Sequence, residues 1–499
     1  MRFWDITQMV HAFKIDKNYF LYDVESGSLH LCDKLSFFIV QNLEGGKNDL
    51  SAYNKTEIEE SKREIEKLKC EGLLFSATAD YSKLETIGKD IKALCLIVSQ
   101  NCNLKCGYCF AGGGSYNKDL KDMTIETAKA SIDFLILKSD KKNLEVDFFG
   151  GEPLLNFQVV KDTVYYANEQ AKKFGKEFKF TLTTNALLLN DAITEFLNLH
   201  MDNVVISIDG RTETHNNLRK TKTGSDSFDI VLKNALNFRK KRGDKNYYIR
   251  GTYTNLNLDF RKDIVFLNEC GFDQISIEPV SLNVSHPLAI REEHLYKIKA
   301  EYQKFAKKYI TIRKPKRWFR QRKLTDQKNC QRHEKRGFFT KGVYPKIHDR
   351  VKSSVFRVYH GFFHQSDRWF NFFHFMIDLK NSPCIKKRIS GCGAGLSYLA
   401  VAANGDIYPC HQFVGRDQYL IGNVLKRNLK ENVRDIFSAN LLTKEKCQNC
   451  FAKYHCGGGC AASCIFTNND INQPDEIACE ILKSRLECAL YIYAMENNG

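Results

Sequence analysis

Between residues 91 and 280 one pattern recurs six times, a short apolar and β-branched run followed by a longer helical stretch. The strand-like runs are ALCLIVSQ, LEVDFFGG, FKFTLTTN, NVVISIDG, YYIRGTYTN and QISIEPV, with stretches such as TIETAKASIDFLILK and NDAITEFLNLHM between them. A helix joining two neighbouring strands makes them run parallel, with a right-handed crossover. The expected fold is therefore α/β, a parallel sheet left open or curled into a partial barrel of (β/α)6 type. In such sheets chemistry gathers at the C-terminal ends of the strands. Here every run ends in polar or glycine-rich residues: a cysteine loop, GGEP, TTN, SIDG, YTN and EPV. One shared active site accounts for all six endings.

The loop after the first run, CNLKCGYCF, places Cys102, Cys106 and Cys109 close together and then stops. A closed zinc site takes four ligands, and most cubane clusters take four thiolates. Downstream the next cysteine is Cys270, and upstream Cys95 belongs to the apolar run. Three thiolates at C-x3-C-x2-C spacing can hold three irons of a [4Fe–4S] cube and leave the fourth open to an exchangeable ligand. Zinc would need its fourth ligand from afar. The N-terminus lacks a signal-peptide layout, and no apolar run approaches the ~18 residues of a membrane span. Eighteen cysteines in such a chain argue for a cytoplasmic metal-binding protein rather than a disulfide framework.

Four units follow from composition. Residues 1–88 contain the short strands VHAFKI, YFLYDV and SLHLCD, broken by DKN and ESG, then two helical patterns. This reads as a winged-helix-like module or as a cap on the main domain. Residues 89–310 carry the six repeats. Residues 311–370 hold 17 Lys/Arg against 4 Asp/Glu, so most of the net charge of +16 is local, and they include 11 aromatics without a sustained period. Residues 371–499 form a cysteine-rich tail. There Cys392, Gly405 and Cys410 read C-x12-G-x4-C, CQNCFAKYHCGGGC supplies Cys447, Cys450, Cys456 and Cys460, and Cys479 follows. Bare C-x2-C pairs would suit zinc ribbons, and with the basic segment they would suit a nucleic-acid-binding zinc protein. In FFGGEP, two glycines allow close backbone approach to a ligand, and the carboxylate of Glu152 can bind an ammonium.

The C-x3-C-x2-C loop resembles the signature of the radical S-adenosylmethionine (SAM) enzymes. That resemblance implies that SAM chelates the open iron and that one-electron reduction yields methionine and a 5′-deoxyadenosyl radical. It also implies SAM contacts from Gly150, Gly151, Glu152, Tyr108, Ser207, Arg219 and the backbone at Ile277, with Arg219 pairing with the SAM carboxylate. The tail resembles the seven-cysteine SPASM domain of enzymes that modify peptides and proteins, which implies two auxiliary [4Fe–4S] clusters. Cys447, Cys450, Cys456 and Cys479 would hold one, and Cys392, Cys410, Cys460 and Cys384 the other. Cys32, Cys70, Cys95, Cys270, Cys330, Cys464 and Cys488 fit no station and read as core or surface thiols.

Among such enzymes the anaerobic sulfatase maturases carry, after the cysteine of YPC, an aspartate proposed as catalytic base. Here YPCHQFVG places His411 there. HAFKIDKNYFLYDVESGSLH, NLEVDFFGGEPLLNF, FNFFHFMIDL and YLAVAANGDIYPCHQFVG look instead like the maturases of SCIFF peptides, small cysteine-rich ribosomal peptides that gain thioether cross-links. This resemblance covers roughly residues 8–310 and 370–499. It implies a leader-binding N-terminal module, a cysteine-rich precursor peptide as partner, and an electron donor such as flavodoxin or ferredoxin. It implies neither a membrane nor a nucleic-acid partner. Residues 311–370 depart from the family pattern, as a solvated insertion, a binder of acidic peptide or nucleic acid, or a reading-frame irregularity.

Overall fold

In the computed structural model all six strand-like runs pair side by side. The structure describes residues 9–78, 90–116, 121–313, 369–379 and 389–497, so Cys330, Cys384 and nearly all of the basic segment lie outside the described residues. After β1 (Val10–Ile15), β2 (Asn18–Asp23) and β3 (Leu29–Cys32) come α1 (Lys34–Leu43) and α2 (Lys55–Cys70). The repeats follow: β4 (Ala93–Ser99), a short β5 (Leu104–Cys106), α3 (Ile125–Leu137), β6 (Asn143–Gly150), α4 (Phe157–Phe174), β7 (Glu177–Thr184), α5 (Asp191–His200) and β8 (Asn203–Ser207). They continue with α6 (Thr212–Leu218), β9 (Arg219–Thr221), α7 (Phe228–Arg242), β10 (Tyr247–Tyr253), α8 (Arg261–Glu269), β11 (Gln274–Pro279) and α9 (Leu295–Arg313).

The local chemistry explains these boundaries. Asn54 and Glu57 form a reciprocal capping box at the start of α2. Thr124 caps α3 and Asn190 caps α5, each accepting a backbone N–H of the first turn. Gly175, at φ 64°, ends α4 in the left-handed conformation that glycine takes without penalty. Strand β4 is buried at every position, as its unbroken apolar run requires of a strand covered on both faces. In β6, by contrast, exposed or half-buried and buried residues alternate.

Strands β4, β6, β7, β8, β10 and β11 form a parallel sheet in the order 11-10-8-7-6-4. The tail does not stand apart from this sheet. Residues Asn371–Phe372 add a parallel strand beside β11, and Tyr398–Val401 adds one beside β4, followed by three antiparallel strands. The N-terminal three-stranded sheet is also tied in. Phe13, Phe20 and Tyr22 share one buried core with Leu94, Phe148 and Ile249 of the large sheet. His11 stacks on Phe451 with 3.4 Å between ring centroids, and Glu25 bridges to Lys453 at 2.6 Å. Residues 9–78 and the described part of the tail, 371–379 and 389–497, are thus distinct in sequence pattern but packed against the repeats.

Candidate active site

A cavity of 260 Å³ opens where the strand ends converge, and the three-cysteine loop forms one wall of it. Cys102, Cys106, Tyr108, Cys109, Gly150, Gly151, Glu152, Ser207 and Arg219 all line it. Ile277, expected to make contact through its backbone, has its side chain buried in the core, and the next residue, Glu278, lines the cavity.

The loop is held by β5, which pairs antiparallel with β9 so that Cys106 stands opposite Arg219. The Leu104 N–H donates to Cys102 Sγ at 3.4 Å, and the Asn185 side-chain amide donates to the same sulfur at 3.6 Å. Arg219 Nη1 approaches Cys106 Sγ at 4.0 Å. Burial pushes the Cys102 thiol up to about 11 and the Cys106 thiol up to about 12. Thiolates at these positions need positive charge brought to them, as a metal brings it. Donors aimed at buried sulfurs, on a loop with three thiols facing one space, fit a cluster ligand set.

The Gly-Gly turn is pressed against that loop. A Cβ at Gly151 would lie 2.2 Å from Asn101 O, and one at Gly150, where φ is +144°, would lie 2.3 Å from Ser99 O. Gly151→Ala should therefore push the cysteine loop out of register at a cost of about 1–3 kcal/mol. The expected result is a lower melting temperature and loss of about a third of the iron after reconstitution. Full iron content and unchanged melting would contradict this packing argument.

Glu152 is fully buried and accepts three hydrogen bonds, from Leu154 N at 3.1 Å, Thr184 Oγ1 at 2.7 Å and Asn185 N at 2.8 Å. Burial nonetheless pushes its carboxyl up to about 7. A cation entering the cavity would offset that burial. Arg219 has a protein partner that the sequence reading did not name: its Nε lies 3.0 Å from Oδ2 of the buried Asp209. Burial acts to lower the Arg219 pKa, but the Asp209 charge overrides it. Tyr108 donates to the same Asp209 Oδ2 at 2.6 Å, and Thr252 N donates to Oδ1 at 2.9 Å. Asp209 is thus the hub that orients two of the expected contact residues.

The tail completes the cavity. His411 and Gln412 line it, and the His411 ring packs against both Phe149 and Phe110, at 5.0 and 5.4 Å. Burial, with the Arg250 charge second, pulls the imidazole down to about 4, and its Nδ1 has no hydrogen-bond partner among the described residues. Across the cavity Glu278 pairs with His374 at 2.9 Å and Arg485 at 3.4 Å. Burial disfavours the Glu278 charge, but His374, Arg485 and Arg250 hold the carboxyl well below its usual range. A second cavity of 690 Å³ shares Tyr108, Cys109, Phe110, Ser281 and Gln412 with the first and extends along the tail helix Ala461–Asn468. Asp209, Asn185 and Glu278 were missed individually, yet each sits in one of the polar strand endings SIDG, TTN and EPV.

Further out, Cys447, Cys450, Cys456 and Cys479 gather within electrostatic reach of one another. Cys392, Cys410 and Cys460 form another group, and Cys410 directly precedes His411. Cys384, expected to complete that group, lies outside the described residues. Among the described residues no group of three or more His, Cys, Asp or Glu side chains is disposed around a single metal ion. None of the described helices is long and apolar enough to cross a membrane.

Comparison with known proteins follows the same division. Residues 96–283 match the radical SAM superfamily, and residues 392–451 match the iron–sulfur cluster-binding SPASM domain. The chain is 35% identical over 189 residues to an uncharacterised protein of Methanocaldococcus jannaschii, covering 38% of this chain and 62% of that one. It is 30% identical over 226 residues to the radical SAM cyclopropyl synthase TigE of Paramaledivibacter caminithermalis, covering 42% and 40% respectively. The chain therefore spans less than two thirds of the length of either relative. A cysteine-type anaerobic sulfatase-maturating enzyme of Clostridium novyi is 24% identical over 80% of this chain and 95% of its own. Among solved structures, native anSMEcpe with bound AdoMet superposes with a TM-score of 0.59 at 18% identity, over 82% of this chain and 99% of that one.

Proposed function

We propose, on the premise that this chain is a radical SAM enzyme with a C-terminal SPASM domain, that it installs thioether cross-links in a cysteine-rich ribosomal precursor peptide. The observation that carries the choice is His411, a cavity-lining imidazole where the sulfatase maturases have an aspartate. Cys102, Cys106 and Cys109 would hold the SAM-binding cluster, with Glu152, Ser207 and Arg219 receiving the polar end of SAM. Together these cofactors would supply a carbon-centred radical that takes one hydrogen atom from the substrate. Closing the C–S bond would then release the thiol proton and one electron, which an auxiliary cluster of the tail would accept. The remaining work belongs to the chain. Asp209 holds Arg219 and Tyr108 in place, Phe149 and Phe110 fix the His411 ring, and the unpartnered Nδ1 can accept a hydrogen bond from a peptide thiol or amide. The 690 Å³ cavity beside the site, with Gln412, Asn468 and Asn469 on its walls, offers amide groups to an extended backbone. β1 and β3, each with one neighbour in the N-terminal sheet, can take an added strand from a leader peptide.

A second reading, formylglycine formation on a sulfatase-type peptide, is favoured by the length of the match to the Clostridium novyi enzyme. The two readings separate with a pair of peptides, one cysteine-rich and one carrying a sulfatase sequence. Cross-linking is expected on the first peptide, with no hydrazide-reactive aldehyde on the second. An aldehyde on the second peptide with the first unchanged would replace the thioether reading by the formylglycine one.

A further inference from the structure

Lys444 is 3% exposed, and among the described residues it forms no ion pair with an Asp or Glu. Its Nζ donates to Gly458 O at 2.8 Å and to Cys464 Sγ at 3.7 Å. An ammonium has three N–H groups, and the third meets no acceptor among the described residues. Other buried cations of this protein have fuller partners: Lys453 meets Glu25 at 2.6 Å, Arg434 meets Glu431 at 2.9 Å, Arg219 meets Asp209 at 3.0 Å, and Arg242 donates to four backbone carbonyls, whereas Lys444 has one carbonyl and one thiol. A buried ammonium without a counter-ion is costly enough that an anionic group must answer it.

The surroundings of Lys444 say which group that is. Its carbonyl accepts the Cys447 N–H at 2.9 Å, which fixes it to the first C-x2-C loop of the tail. Its Nζ reaches Gly458 O, two residues past Cys456, so the side chain lies against the segments that carry Cys447 and Cys456. The turn that offers Gly458 O to it is built from Gly457, Gly458 and Gly459, all at positive φ of 71–88°. This gives the GGG of CQNCFAKYHCGGGC a purpose, because side chains rarely adopt that conformation. Four thiolates around a cubane core leave it net anionic, and more so when reduced.

We infer that Lys444 is the built-in counter-ion of the iron–sulfur cluster held by Cys447, Cys450, Cys456 and Cys479, and that it raises the reduction potential of that cluster. The inference rests on the reading of those four cysteines as one ligand set. A nearby buried positive charge favours the reduced, more negative form, which makes the cluster a better electron acceptor. Lys444 lines neither of the two cavities described above, so it is a positioning residue.

The test is an EPR-monitored redox titration of the reconstituted full chain, with Lys444→Met and Lys444→Arg beside the parent. In Lys444→Met one midpoint should fall while the others hold, and Lys444→Arg should keep the parent value. Loss of iron in Lys444→Met but not in Lys444→Arg would support the same role. Identical midpoints in all three proteins, or equal loss of iron in both variants, would overturn it. An iron content left unchanged by replacing Cys447 and Cys450 with alanine would instead remove the four-cysteine reading itself, before any change at residue 444.

Discussion

Replacing Cys102, Cys106 and Cys109 together by alanine should abolish formation of 5′-deoxyadenosine from SAM under strong reductant, while leaving roughly eight irons on the tail. The loop has no spare thiol. Cys95 is fully buried within β4 and reaches Cys410 rather than the loop, and the next cysteine downstream, Cys270, is half-buried just after α8. The two tail groups draw on other elements, chiefly the loop between Cys447 and Cys460 and the final helix Glu476–Asn497. They should fill normally, so the variant should remain brown and folded. SAM cleavage that survives the triple change would mean that the reactive cluster is bound elsewhere.

Asp209→Ala should destabilise the fold by about 3–5 kcal/mol, because it strands the buried Arg219 without its carboxylate. Asp209 is completely buried, and Arg219 is 9% exposed, so water has little access to replace the lost partner. The same change removes the acceptor of the Tyr108 hydroxyl and of the Thr252 amide. Thermal melting should show the loss directly, and SAM binding should weaken with it. The double variant Asp209→Ala/Arg219→Ala should recover part of the stability and none of the binding, since the unpaired charge is gone while the contact residue is gone too. Additive losses of stability in the double variant would show that the pair is not coupled.

The sheet was legible because its signals are local. Unbroken apolarity marks β4, alternation marks β6, and the polar endings of five of the six strands, all but YTN, supply residues of the cavity wall. The long-range joints had no such signal. Nothing near His11 announces a stack on Phe451, and nothing near Glu25 announces Lys453, because partners separated by more than 400 residues share no periodicity. The joining of Tyr398–Val401 to β4 was hidden for the same reason. The N-terminal unit therefore read either as a winged-helix-like module or as a cap on the main domain, and Phe13, Phe20 and Tyr22 lie in the common core. Arg219 was found as a residue and only half understood, since its Asp209 partner comes from a strand ending noticed only as a group.

The central claim is the bond made in the peptide. The most direct measurement incubates the reconstituted enzyme, SAM and reductant with a short cysteine-rich peptide encoded beside its gene, followed by reduction, alkylation and mass spectrometry. Each thioether removes two hydrogens, so the mass should fall by about two daltons per cross-link, and each linked cysteine should resist alkylation because a thioether is not reducible. A peptide of unchanged mass whose every cysteine is alkylated would contradict the account.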